Sequence, residues 1–376
     1  TKKPLWPLEG ERLRFNLLKD LNPEQREAAV CQTHCLTVAA PGSGKTKMLS
    51  TKAAFLLSGG STVVAVTFTR DAAMELGERI MHQAGKETLP RLLVGTFHSI
   101  NLLMAFPSRA KSQMGSAILA KARSNIKTPW KIANGGVQRN AIARAIDMAQ
   151  IGAVELDDAM RVIERVKADP GSAKEAKERD LVHAYTEIMN RHKVIDFQDI
   201  LLKTNEGLAS GAISPLATDY LLLDEFQDTD LPQYEWAMMH AKAGSIITAV
   251  GDDDQSIYGF RRALGFKGMR MFADERRAAK VILGMNYRSH AEVLNCAGRL
   301  IAINEERENK SLVSSKGYGG SALWERFANN NLEADACVET ALSAVKNGMT
   351  FGVLARTNKK LEHVESAMRR ENVPFK

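Results

Sequence analysis

Cysteine is scarce. The chain has four in 376 residues, Cys31, Cys35, Cys296 and Cys337. Their spacing matches neither a disulfide framework nor a structural zinc site, and CQTHC at 31–35 offers at most three of the four ligands that a closed zinc site takes. A reducing, cytoplasmic setting is expected. No apolar run approaches the ~20 residues that span a bilayer, and no membrane segment or secretory leader is expected. Aromatic residues make up 6% of the chain, so rings that fall close together in polar surroundings stand out. Acid is missing from one long stretch. Between Ser108 and Ile146 the chain carries Arg109, Lys111, Lys121, Arg123, Lys127, Lys131, Arg139 and Arg144 and no Asp or Glu. Such a bias fits a polyanionic partner, nucleic acid first, or equally a solvated helix face.

The length exceeds one compact core and predicts roughly two or three domains. Short apolar runs at 35–40, 62–68, 92–97, 220–225, 245–250, 280–285 and 352–356 read as strands, several of them buried on both faces. Helical patterns separate most of them, which predicts a parallel α/β sheet. In 291–303 the residues Val293, Leu294, Ala297, Leu300 and Ile301 share one helical face. From Ser108 to Val194 no strand-like run occurs. VQRNAIARAIDMAQ and LDDAMRVIERVKAD are helical by period, the second capped at Asp157 and stopping at Asp169-Pro170-Gly171. An all-helical insertion in the α/β unit is therefore expected.

AAPGSGKTK at 39–47 follows an apolar strand and precedes a helix, the setting of a phosphate-binding P-loop. Gly42 and Gly44 let the amides of Ala40, Pro41, Gly42, Ser43 and Gly44 wrap phosphate oxygens, although Pro41 itself has no N–H to give. The helix starting near Lys45, Thr46 and Lys47 points its positive end the same way. Lys45 supplies charge for the β- and γ-phosphates of ATP, and Thr46 a hydroxyl for Mg²⁺. The first glycine of the usual pattern is Ala39 here. LLLDEFQDTD at 221–230 delivers Asp224 as a second Mg²⁺ ligand and Glu225 as general base for the attacking water. Alone, the first motif also reads as a Gly-rich turn before a helix and the second as a polar turn.

Together with GDDDQSIYGFRRA (251–263) and NYRS (286–289), these motifs resemble the superfamily 1A helicases of the UvrD/Rep/PcrA type. LNPEQREAA, VTFTRDAAMELGERI, GTFHS, IDFQDIL and LARTN match in order from about residue 21 onward. The resemblance implies that Gln25 reads adenine, Tyr287 stacks on it, and Gln255 and Arg288 meet the γ-phosphate. Taken singly, Gln25 also fits a helix surface and Tyr287 a core. It further implies that Tyr258 and Phe260 stack on bases of single-stranded DNA, and that Arg261 links the two sites. The aspartates of 252–254 are expected near the magnesium, capping neighbouring elements. Phe68 is expected to pocket a base, with Thr67, Thr96 and His98 on backbone or sugar and Arg356 and Asn358 contributed by the second motor domain. His98 equally suits a core histidine. Phe260 stands where many family members carry Trp, and Arg70-Asp71 where an Asn-Lys pair is common.

The implied fold is an α/β P-loop NTPase (RecA-like) parallel sheet with an all-helical insertion, plus part of a second RecA-like domain. The expected boundaries are 1–107 and 195–285 for the first motor domain, 108–194 for a basic, DNA-contacting insertion, and 286–376 for the second, incomplete because the family's last motifs are missing. The implied activity is ATP-dependent 3′-to-5′ movement on single-stranded DNA, with duplex junctions as further DNA partners. The alternative is a nucleotide-gated DNA-binding or assembly subunit without unwinding activity.

Overall fold

The computed structural model describes residues 16–257, 259 and 262–375. It begins with α1 (Pro23–Val30) and β1 (Cys35–Ala39), followed by α2 (Lys45–Ser58), β2 (Val63–Thr67), α3 (Arg70–Ala84), β3 (Leu92–Thr96) and α4 (Phe97–Ala105). After a single helical turn at Ser116–Leu119 come α5 (Gly135–Met148), α6 (Leu156–Ala168) and α7 (Ala176–Arg191), then α8 (Phe197–Ser210), β4 (Tyr220–Leu223), α9 (Leu231–Lys242), β5 (Ile246–Gly251), α10 (Gly265–Arg276) and β6 (Ala279–Leu283).

The six strands form one parallel sheet in the order β3-β2-β4-β5-β1-β6. Successive residues of a strand point to opposite faces, and the cores divide accordingly. Leu36, Val38, Val64, Val66, Leu221 and Leu223 pack on one side with Trp236 and Phe272. Cys35, Ala39, Val63, Ala65 and Leu222 pack on the other with Met48, Leu49, Leu76 and Ile80. Burial on both faces explains the near-continuous apolar runs. Six of the seven expected strands are present.

α5, α6 and α7 bury a core of their own around Ile142, Ile163, Leu181 and Tyr185. The cap of α6 is Glu155, two positions before the expected one. Asp157 therefore lies in its first turn rather than at its cap, where its charge still complements the helix dipole. It stops at Asp169, whose side chain accepts from the Gly171 N–H. At the base of these helices the buried Lys167 Nζ meets Asp196 at 2.8 Å and Asp199 at 2.5 Å. Those two residues form the capping box of α8.

After β6, the short strand β7 (Met285–Asn286) leads to α11 (Ala291–Ile301) and returns to pair in parallel with β8 (Val313–Ser314). The expected apolar face of α11 is only partly covered: Leu294 is buried, while Val293, Ala297 and Leu300 are exposed. The chain divides into compact units at Gly320–Ser321, whereas the sequence placed a domain boundary at 285/286. The second unit packs α12 (Asn330–Lys346) against α13 (Asn358–Arg370) around Ala334, Val338, Ala341, Ala367 and Met368. The expected strand at 352–356 does not form: the stretch is unpaired and Leu354 is 98% exposed. A strand needs a neighbour for its N–H and C=O groups, and among the described residues this unit has no other strand. Among the described residues no helix is long and apolar enough to cross a membrane.

Candidate nucleotide and nucleic-acid sites

Parallel strands all end on one edge of the sheet, and loops at that edge gather side chains from distant sequence positions. Here the edge collects the turns after β1, β4 and β5. After β1 the chain reverses through Gly42 at φ 65° and Gly44 at φ 79°, and α2 opens at Lys45. A side chain at 44 would meet Gln25 Nε2 at 2.7 Å, and one at 42 would meet Arg288 Cβ at 2.7 Å. The turn is thus closed in from both sides. The Ser43 hydroxyl is buried in it without a hydrogen-bond partner. Lys47 is exposed and donates to the Asp20 carbonyl at 2.5 Å.

From one side, Gln25 donates to the Ser43 carbonyl at 2.8 Å. It is held by a capping box with Asn22, and Asn22 Nδ2 donates to the Tyr287 hydroxyl at 2.8 Å. From the other side, Asn286 Nδ2 donates to the Pro41 carbonyl at 2.5 Å, and the Tyr287 N–H to the Gly42 carbonyl at 2.9 Å. Asn286 Oδ1 also accepts from the N–H groups of Arg288 and Ser289. Gln25, Tyr287 and Arg288 therefore surround the loop. The Tyr287 ring is half exposed, and the Arg288 guanidinium makes no ion pair among the described residues.

β4 ends in Asp224 and Glu225. Glu225 sits at φ 49°, ψ 44°, a left-handed conformation costly for a residue with a Cβ. Its carboxylate accepts from Lys45 Nζ at 2.6 Å and from Gln227 Nε2 at 3.0 Å. Asp224 is buried beside it, and its Oδ1 accepts from the Glu225 N–H at 3.0 Å. Burial, then the neighbouring Glu225 charge, pushes the Asp224 carboxyl up to about 6 against the pull of Lys45. The Asp228 carboxyl is raised to about 6 by the same two causes.

Gln255 follows β5, its Nε2 donating to Asp252 Oδ2 at 2.5 Å. Of the three aspartates before it, Asp252 caps the 253–255 turn as expected, its side chain accepting from the Asp254 N–H at 3.2 Å. Among the described residues the three are the one carboxylate grouping close enough to hold an ion, but the Lys310 ammonium already sits among them. Arg307 pairs bidentately with Asp254 at 2.9 and 2.7 Å. Tyr258, Phe260 and Arg261 lie outside the described residues. Arg262 beyond them, at φ 63°, pairs with Asp169 at the end of α6.

Next to this edge, a cavity of about 280 Å³ is lined by Thr67, Phe68, His98, Phe197, Asp228 and Asp230, among others. Thr67 is buried and its hydroxyl donates to the Thr69 carbonyl at 3.0 Å. Thr96 caps α4 rather than lining the cavity. The His98 ring meets Phe197 edge-on, with centroids 5.9 Å apart, and burial lowers the His98 pKa. Phe197 is 61% exposed. A second groove, of about 430 Å³, is lined by Lys127, Lys131, Lys193, Lys203 and Trp130, with no acid among its lining residues. Arg356 and Asn358 belong to the 321–375 unit, Asn358 opening α13 and Arg356 in the unpaired stretch before it.

Sequence reasoning missed Asn22, Asn286, Gln227, Lys310 and Phe197. The capping pattern Asn-Pro-Glu-Gln at 22–25 signals Asn22. Phe197, an aromatic at the first helical position after Asp196, was visible in IDFQDIL. Gln227 and Lys310 act across gaps of 25 and 58 residues from Asp252, and no local pattern announces them.

A parallel sheet with this strand–loop–helix turn and a carboxylate pair on a nearby strand defines a P-loop NTPase fold of the RecA-like type. The UvrD/REP helicase N-terminal domain matches residues 21–271 and the UvrD-like helicase C-terminal domain matches 281–376. The chain belongs to the UvrD/Rep helicase family. It is 28% identical to the ATP-dependent DNA helicase PcrA of Staphylococcus epidermidis, over 96% of this chain and 51% of that protein. It is 28% identical to the ATP-dependent DNA helicase Rep of Escherichia coli K12, over 95% and 55%. With DNA helicase II of Haemophilus influenzae the identity is 29%, over 96% and 50%. The chain spans about half the length of the curated relatives it matches.

Proposed function

We propose that the chain is the nucleotide-hydrolysing and strand-gripping part of an ATP-dependent DNA helicase that moves 3′ to 5′ on single-stranded DNA. The observation that carries this reading is the pairing of Lys45 with Glu225 beneath a loop closed in by Gln25 and Asn286–Arg288. The two inward-facing glycines and the unpartnered Ser43 hydroxyl fit a triphosphate there.

In this reading Lys45 neutralises phosphate charge, Gln25 and Tyr287 take the adenine, and Gln255 and Arg288 meet the γ-phosphate. Thr46 and Asp224 would hold Mg²⁺, which neutralises charge on the β- and γ-phosphates when bound. Glu225 accepts the proton of the attacking water, and Asp224 beside it, raised to about 6, is still mostly ionised at neutral pH. Bases enter the cavity lined by Phe68 and Phe197, where stacking is indifferent to sequence and contributes about 1–3 kcal/mol per base. Thr67, Thr96 and His98 stand beside it for backbone or sugar. Tyr258, Phe260 and Arg261 are further stacking and linking groups in this reading, and Arg356 and Asn358 of the 321–375 unit contact DNA in their own right. The lysine-lined groove between the 108–194 insertion and α8 suits duplex phosphates at a junction.

The test is ATP turnover with and without single-stranded DNA. Lys45→Ala is expected to abolish nucleotide binding. Glu225→Gln is expected to keep binding and to lower kcat by about a thousandfold, as loss of a general base does. Strand displacement from 3′-tailed and 5′-tailed duplexes reads the direction. Full turnover in Glu225→Gln would remove the base assignment, and nucleotide binding without turnover in the unsubstituted protein would leave a gated DNA-binding subunit.

A further inference from the structure

The Asp252–Asp253–Asp254 run carries three carboxylates on consecutive residues, and such a run is costly to bring together unless something compensates it. Lys310 compensates it. Its ammonium lies 2.5 Å from Asp252 Oδ1, 2.5 Å from Asp253 Oδ1 and 3.0 Å from Asp254 Oδ2, and its side chain is 0% exposed. Burial opposes the lysine's charge, yet the facing Asp252 and Asp253 carboxylates outweigh it and hold its pKa above the ordinary lysine value. The Glu308 N–H donates to Asp253 Oδ2 at 2.7 Å, which fixes the segment before Lys310 as well.

Asp252 has two oxygens and divides them. Oδ1 faces Lys310, and Oδ2 accepts from the Gln255 carboxamide. Its N–H donates to Gln227 Oε1 at 2.9 Å, while Gln227 Nε2 donates to Glu225. A continuous chain of polar contacts therefore runs Lys45–Glu225–Gln227–Asp252–Lys310. Four residues beyond Lys310, the Ser314 hydroxyl donates to the Ser289 carbonyl at 2.8 Å. Ser314 also pairs in register with Asn286. The 285–314 segment is thus tied to the phosphate loop at one end, through Asn286, and to the Gln255 turn at the other, through Lys310.

We infer that Lys310 is a positioning residue for Gln255: by fixing the Asp252 carboxylate it aims the Gln255 carboxamide, and it locks that aim to the segment carrying Arg288. This rests on the reading of Gln255 as the γ-phosphate contact. Triphosphate recognition by Gln255 and by Arg288 is then one linked event, because a shift of the 285–314 segment moves both groups.

The test uses the full chain and two fluorescent probes, mant-AMPPNP and mant-ADP, so that the readout is discrimination of the γ-phosphate and not turnover. Lys310→Met is expected to leave mant-ADP affinity within about twofold and to reduce the preference for mant-AMPPNP by about tenfold, the size of one lost charged hydrogen bond. Gln255→Ala is expected to do the same, and the double variant to lose no more than either alone, since both act through one contact. A cluster that merely stabilises the fold would leave the preference intact in folded Lys310→Met, or give additive losses in the double variant; either result overturns the inference. Should Lys310→Met fail to fold, Asp253→Asn serves instead. It removes one carboxylate from the lysine without touching Gln255, and a threefold or larger loss of preference, absent in the Gln255→Ala background, is expected. Lys45→Ala is the separate control. If it keeps its affinity for both probes, the nucleotide-site reading fails, whatever Lys310 does.

Discussion

The carboxyl edge of the large sheet and the 321–375 unit end in opposite conditions. At the sheet edge polar side chains from distant positions are tied into one network, and burial raises Asp224, Asp228 and Asp230 each to about 6. In the 321–375 unit a small core lies between two helices, while Leu323, Trp324 and Leu354 stand in solvent. Apolar residues become structure only where a neighbouring element supplies both a surface and hydrogen-bonding groups. Crowded charge persists only where such a core holds it in place.

The largest expected effect tests that core. Trp236 is 0% exposed and meets Phe97 edge-on with centroids 5.5 Å apart. Trp236→Ala should destabilise the sheet unit by about 3–5 kcal/mol, read by urea denaturation. A loss below 1 kcal/mol, by the same scale, would mean that the two regions are not packed as differently as they look. A smaller effect concerns the crowded charge. Burial raises the Asp230 carboxyl to about 6, above its unfolded value of roughly 4. The folded state therefore binds the proton more tightly. This contribution to stability falls as pH rises from about 4 through 6 and stays low above it. Asp230→Asn keeps a side chain able to cap α9 and removes the charge. Melting curves at pH 7.5 should show it at least as stable as the unsubstituted chain, by on the order of 1 kcal/mol, with the difference shrinking toward pH 4.5. The smallest effect belongs to the second unit. Leu354→Ser should change stability by less than about 0.5 kcal/mol, and backbone amides at 352–355 should exchange far faster than those of β1. Slow exchange there would show that the stretch is paired after all.

The sheet was legible because burial on both faces leaves a continuous apolar signature in each strand, and the phosphate loop because its glycines and lysine are adjacent in the chain. Asp224 and Glu225 were legible for the same reason of locality. The run at 352–356 carried the same apolar signature yet stays unpaired, since propensity cannot report whether a partner strand is present. The aspartates of 252–254 were noticed, and the cap at Asp252 with them, but not that they enclose Lys310. Their partner lies 58 residues from Asp252, and no sequence period spans that gap. Leu300 on α11 shows the converse limit: helical spacing identified a face without revealing that it stays open.

The Lys45–Glu225 pair has a consequence in time. An ammonium group held by one carboxylate will exchange it for a triphosphate, which presents more negative charge at the same place. On the proposed reaction, the arrival of fuel then frees the glutamate in the same stroke that seats the phosphates. On that proposal the contact between Lys45 and Glu225 is a safety catch, and seating the phosphates lifts it.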